Sequence, residues 1–192
     1  MMATQMNCQN RSDKIENPQY GNTNSSQSVT VYHFAVHPLH NPTKLIAVYE
    51  PLMIYFNQKI KGVQFVLEAS RDYDNFEHKY LARKPEFILP NPWQTIQAMN
   101  SGYHVIAIAG EAKDFKGLII VRKDGSIKKP TDLIGKKISY PSNTALAACI
   151  MPQYFLFTQG VNVNKDIQNQ YVGSQESSIM NVYLKNTSAG AT

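Results

Sequence analysis

Cysteine and tryptophan are scarce, with two and one among the 192 residues. Cys8 and Cys149 make no disulfide framework, so a packed core must hold the chain. Cys149 stands in an apolar helical stretch and reads as a small buried hydrophobe. No apolar run approaches the length needed to cross a bilayer. Charge of one sign is not gathered anywhere: 19 Lys+Arg oppose 14 Asp+Glu, for a net +5. The excess is scattered through pairs such as Lys59/Lys61, Lys128/Lys129 and Lys136/Lys137. Nucleic-acid binders collect such charge on one face with interleaved aromatics, so no nucleic-acid partner is expected. A mildly basic surface still raises the local concentration of small anions. Nucleophile elbows, glycine-rich nucleotide loops and paired catalytic carboxylates are missing, which speaks against an enzyme. His33, His37 and His40 fall close together, but His40 lies past Pro38 and no cysteine or carboxylate completes a tetrahedral set. No metal or other cofactor is expected. The first residues have neither a basic start nor an apolar run, so no export signal is visible.

What is present is a regular alternation. Residues 1–28, rich in Asn, Gln and Ser, read as a disordered polar tail. From Val29 onward strands and helices follow one another: strand 29–36, helix 43–59 disturbed at Pro51, strand 63–67, helix 72–82, strand 87–89 and helix 92–99. Two apolar strands, 104–109 and 117–122, complete a first α/β lobe over 29–122. The charged, turn-rich stretch 123–130 then reads as a crossover. A second unit, 131–192, holds strand 137–140, helix 144–158, strand 168–172, helix 176–184 and strand 187–191. Such alternation predicts an α/β fold with mainly parallel sheets, whose second lobe looks incomplete.

The most informative stretch is Tyr140-Pro141-Ser142-Asn143-Thr144-Ala145-Leu146-Ala147-Ala148, which closes a strand and opens a helix. A helix start leaves several N–H groups without partners and carries partial positive charge, so small residues there let an anion approach. Simple capping by Ser142, Asn143 or Thr144 explains the same residues without a ligand. Gly173-Ser174-Gln175-Glu176 opens a second helix in the same manner, with Ser174 either a cap or a ligand contact. Tyr49 lies on an apolar helical stripe and Trp93 near a helix start. Periodicity alone leaves both open between core and cleft. Asp72, Asp74 and Glu77 suit the positive end of a helix dipole.

With these residues in hand, the chain resembles the substrate-binding proteins of phosphate/phosphite/phosphonate ABC transporters. Tyr49-Glu50-Pro51-Leu52, Asn91-Pro92-Trp93-Gln94, Gly102 to Ala107, Phe115 to Ile119, Asp132 to Lys136, Ser139 to Ala148 and Gly173 to Ser178 carry the likeness, in that order. The resemblance implies a two-lobed periplasmic-binding-protein (type 2) fold, apparently truncated at its C-terminus, with ligand held between the lobes. It implies contacts from Tyr49, Trp93, Ser142, Asn143, Thr144, Ala145, Ser174 and Gln175. Glutamine at 175, where many phosphonate binders carry histidine, argues against carrying over a preference for aminophosphonates. It further implies a monomeric receptor at the outer face of the cytoplasmic membrane, a permease partner, and Cys8 as a candidate lipid-anchoring cysteine. An extracytoplasmic sensor domain for a signalling partner is the alternative.

Overall fold

The computed structural model describes residues 29–111, 113 and 115–192. The expected polar tail and the anchoring role of Cys8 lie outside these residues. The chain folds as α/β with two separate sheets, each with its own helices and core.

The first lobe is all parallel, in strand order β2-β1-β3. β1 (Thr30–Val36) pairs with β2 (Val63–Glu68) on one side and β3 (Phe87–Leu89) on the other. Three helices connect and flank these strands: α1 (Pro42–Lys59), α2 (Tyr73–Leu81) and α3 (Pro92–Asn100). Each opens on a side chain that meets an orphan amide. Asn41 accepts from the Lys44 amide at 3.0 Å and Asp72 from the Asn75 amide at 2.8 Å. Asn91 and Gln94 form a reciprocal capping box at 2.9 and 3.2 Å. α1 runs unbroken through Pro51, where a disturbance is expected from the sequence. Ala47 and Pro51 both lie on the exposed face of the helix, where forgoing one internal bond costs least.

The second lobe is a mixed sheet in the order β4-β7-β5-β6. β5 (Lys137–Tyr140) runs parallel to β6 (Gln168–Tyr171) and β7 (Ala189–Ala191), while β4 (Ile119–Val121) runs antiparallel to β7. α4 (Met151–Thr158) and α5 (Gln175–Tyr183) flank it. α5 sits close to the sheet because Gly190 has no side chain: a Cβ there would meet the Ser178 carbonyl at 2.7 Å and Val182 at 2.8 Å. Buried hydroxyls lock this contact. Ser178 donates to the Ser139 carbonyl at 2.8 Å, and Ser139 donates back to the Ser178 carbonyl at 2.9 Å.

Two sequence expectations are corrected. Ile119–Val121 was expected to close the first lobe, yet it belongs to the second sheet. Leu118 and Thr192 extend its pairing with β7 through bonds of 2.8 and 3.0 Å. A three-residue apolar run carries no periodicity that identifies its sheet; the β7 partner decides it. The stretch 104–109, expected as a strand, has no ladder among the described residues, and Ile106 and Ile108 are 79% and 87% exposed. A strand exists only where neighbouring backbone takes its N–H and C=O groups.

Candidate functional site

The chain after Pro141 does not enter an ordinary helix. Leu146–Ile150 forms a π-turn, with the Ile150 amide reaching back to the Ala145 carbonyl at 3.1 Å, and only then does α4 begin. Pro152 supplies the reason. Its ring would crowd the carbonyl four residues earlier and it has no N–H to give, so the preceding turn widens. Gly117, just before β4, presses against this turn so closely that a Cβ would overlap the Ala147 carbonyl oxygen.

Beside this turn lies a cavity of about 160 Å³ between the lobes. Residues 145–148 form one wall, with Gln175 and Thr192 from the same lobe. His37, Leu39, Tyr73 and Asn91 face them from the first lobe, and Phe115 and Lys116, just before β4, complete the rim. A helical start leaves its first amides without intrahelical acceptors; here the Ala145 amide is taken by the Ser142 carbonyl at 3.3 Å, and residues 145–148 line the cavity. An open apolar trough of about 700 Å³ lies elsewhere, between α5 and β4. There Arg122 is paired with Asp124 at 2.6 Å and the lining is otherwise mostly apolar, whereas the smaller cavity gathers polar side chains from both lobes and is the candidate site.

The hydroxyls expected at the anion site serve a different purpose. Thr144 Oγ1 donates to Glu77 Oε1 of α2 at 2.5 Å, across the gap between the lobes. A carboxylate only accepts, so the Thr144 proton is committed there. Ser142 must then be the donor in its 2.9 Å bond to Thr144 Oγ1, which makes a directed chain from Ser142 through Thr144 to Glu77. Glu77 also takes Gln94 Nε2 at 3.0 Å, and Asn91 Nδ2 donates to the Thr144 carbonyl at 3.2 Å. The α3 capping box thus orients the surface on which Thr144 docks.

The second helix start is adjacent. Gly173 turns the chain with φ +84°, its amide bonded to the Pro141 carbonyl at 2.9 Å. Ser174 caps α5, accepting from the Ser177 amide at 3.1 Å. Gln175 Oε1 accepts from Thr192 Oγ1 at 3.0 Å, which leaves the amide NH₂ as the donor end. Beyond it, Glu176 reaches the first lobe, where Asn41 Nδ2 donates to it at 2.6 Å and His40 and Lys44 stand 3.8 and 3.9 Å away.

Of the eight residues named from the sequence, Ala145 and Gln175 line the cavity. Ser142, Thr144 and Ser174 stand behind it in the bonds just described. Asn143 is exposed, and Tyr49 and Trp93 are not among the lining residues. Tyr73 and His37 were missed as cavity residues. Tyr73 opens α2 in the first lobe, yet it is 2% exposed and packs with the second lobe's core around Leu133, Ile138 and Ala148. Burial pushes its phenol up to about 12, so it stays a neutral donor, with the Gln175 side chain beside it. Its signal was the Asp72 cap directly after a strand end, where ligands of α/β sheets bind. His37 ends β1, with Nδ1 3.0 Å from the Leu89 carbonyl oxygen, and burial lowers its pKa. Cys149 is buried, its thiol pushed up to about 12, which leaves it unreactive. The three histidines considered as a metal set part company: His33 faces Glu68, His37 the cavity and His40 Glu176.

Residues 34–192 match the family model described as ABC transporter, phosphonate, periplasmic substrate-binding protein. No curated protein sequence matches the chain. Among solved structures, PhnD1 from Prochlorococcus marinus (MIT 9301) in complex with methylphosphonate superposes with a TM-score of 0.71 at 19% identity, over 84% of this chain and 63% of that one. A binding protein component of an ABC phosphonate transporter from Pseudomonas aeruginosa gives 0.70 at 17% identity, over 84% and 56%. The periplasmic aliphatic sulphonate binding protein SsuA from Escherichia coli gives 0.54 at 14% identity, over 84% and 53%. The chain therefore spans less than two thirds of the length of these proteins. It belongs to the family of periplasmic phosphonate-binding components of ABC transporters.

Proposed function

We propose that this member of the phosphonate-binding family is a solute receptor, holding a small phosphorus oxyanion between its lobes for delivery to a membrane permease. The observation that carries the reading is the cavity, where residues 145–148 at the start of the helical segment face Tyr73, Gln175 and Lys116. A tetrahedral oxyanion leaving water needs its hydration replaced by several aimed donors. Hydrogen bonds to a charged partner contribute about 1.5–3 kcal/mol each, so four or five offset the cost of immobilising the ligand. The volume, about 160 Å³, is below the roughly 300–1,000 Å³ of sites for drug-sized ligands. It suits phosphate, phosphite or a short phosphonate. The methylphosphonate held by PhnD1, which shares the fold, supports that ligand class.

In this reading residues 145–148 and Gln175 touch the ligand, while Ser142, Thr144 and Ser174 hold the two helix starts in register. Binding favours the closed arrangement because only there do both lobes contribute donors. The receptor acts as a monomer at the periplasmic face, binds without turnover, and Cys8 is its candidate acylation site. Mass spectrometry of the native protein tests the acylation. Titration calorimetry with phosphate, phosphite and methylphosphonate tests the receptor role. One-to-one binding of at least one of them is expected, and no heat with any of the three removes the reading.

A further inference from the structure

We infer that His37 selects an oxyanion that still carries a proton, such as a hydrogen phosphonate, over a sulfonate of the same shape; the inference rests on the receptor reading above. The His37 ring lines the cavity, and its Nδ1 lies 3.0 Å from the Leu89 carbonyl oxygen. A carbonyl can only accept, so Nδ1 carries the hydrogen. In neutral imidazole the other nitrogen, Nε2, is then a bare acceptor. Burial lowers the pKa of the ring and so favours its neutral form, which the Leu89 bond only partly opposes. Tyr73 packs edge-on at 6.3 Å, and Lys116 and Gln175 share the cavity wall. Of the carboxylates on the facing elements, Asp72 is taken up by the Asn75 amide and Arg71, Glu77 by Thr144 and Gln94, and Glu176 by Asn41, His40 and Lys44.

Lys116 and the Gln175 NH₂ are donors on the cavity lining, and Nε2 of His37 adds an acceptor to it. A hydrogen phosphonate gives its P–O–H proton to Nε2 and offers its other oxygens to those donors. The proton stays on the ligand, and no covalent bond changes. A sulfonate has the same tetrahedral shape and the same single charge but no proton, and it sets a lone pair against a lone pair. Lys116 does not separate the two ligands, because each carries one negative charge.

Calorimetric titration of the wild-type chain and of H37N with methylphosphonate and methanesulfonate tests this. Asparagine keeps a short donor for the Leu89 carbonyl and places nothing at Nε2. The wild type should prefer methylphosphonate by about tenfold to a hundredfold, and H37N should reduce the preference to about threefold or less. Wild-type affinity for methylphosphonate should also fall as pH rises through the ligand's second ionisation, because the dianion has no proton to donate. His37 titrates below its ordinary 6.5 and does not confuse that window. The pH series needs no variant, so it decides the matter even if H37N fails to fold. Equal wild-type affinity for both ligands, or methylphosphonate binding that tightens with rising pH, overturns the role of His37. Failure of both ligands to bind the wild type overturns the receptor reading itself.

Discussion

The two lobes pack by different means. In the first, large rings fill the space around an all-parallel sheet: Phe65 meets Tyr32, Phe56 and Phe87 with centroids 5.3–5.6 Å apart at tilted angles. In the second, small residues let helix and sheet approach closely. Ser139, Ser178, Ala189 and Gly190 bring backbone near backbone, and hydroxyls bind the layers together. Tilted rings can readjust when a neighbour changes. Close backbone contact leaves nothing to readjust. The unyielding lobe carries the cavity wall of residues 145–148, and the adaptable lobe supplies the side chains that reach over it.

The strongest attack on this contrast is Gly190→Val, which drives a side chain into the Ser178 carbonyl. It should destabilise the protein by about 3 kcal/mol or more, against about 1.5 kcal/mol or less for Phe87→Leu among the rings. Urea denaturation followed by circular dichroism compares them; equal costs would remove the distinction. Thr144→Val tests the seam between the lobes. It keeps the shape and leaves Glu77 and Ser142 short of a partner, for an expected loss of about 1–3 kcal/mol with weaker oxyanion binding. A smaller effect comes from pH. The folded pKa of His37 lies below its ordinary 6.5, so the unfolded chain binds the proton more readily. Stability present above 6.5 is lost as pH falls from there toward the folded pKa. Thermal melts of the wild type should show that decline below 6.5, and H37N should flatten it. Glu176→Gln should matter least, at less than about 1 kcal/mol, since Glu176, His40 and Lys44 all remain open to solvent and their separations are long, 3.8 and 3.9 Å. Melts at low and high salt should show that small difference shrinking further as salt is raised.

Much of the fold was legible because strands and helices of this type declare themselves by period and by caps. Asn41, Asp72, Asn91 and Ser174 all sit where their residue type predicts a helix start. The membership of Ile119–Val121 was not legible, because its partner lies some seventy residues onward. The candidate site was legible at Ala145 and Gln175, where small or polar residues follow a strand. Glu77 misled, since a carboxylate in the first turns of a helix already has a sufficient local explanation in the dipole. Its bond to Thr144 depends on how the lobes meet. Tyr73 and His37 were hidden for the same reason. Each belongs to one lobe by sequence and acquires its surroundings from the other.

Tyr73 has one more implication. A side chain rooted in one half and seated in the interior of the other works as a stopper. Swinging the halves wide would draw it out and wet the socket it leaves, so the two halves should rock through small angles with the ring still partly seated.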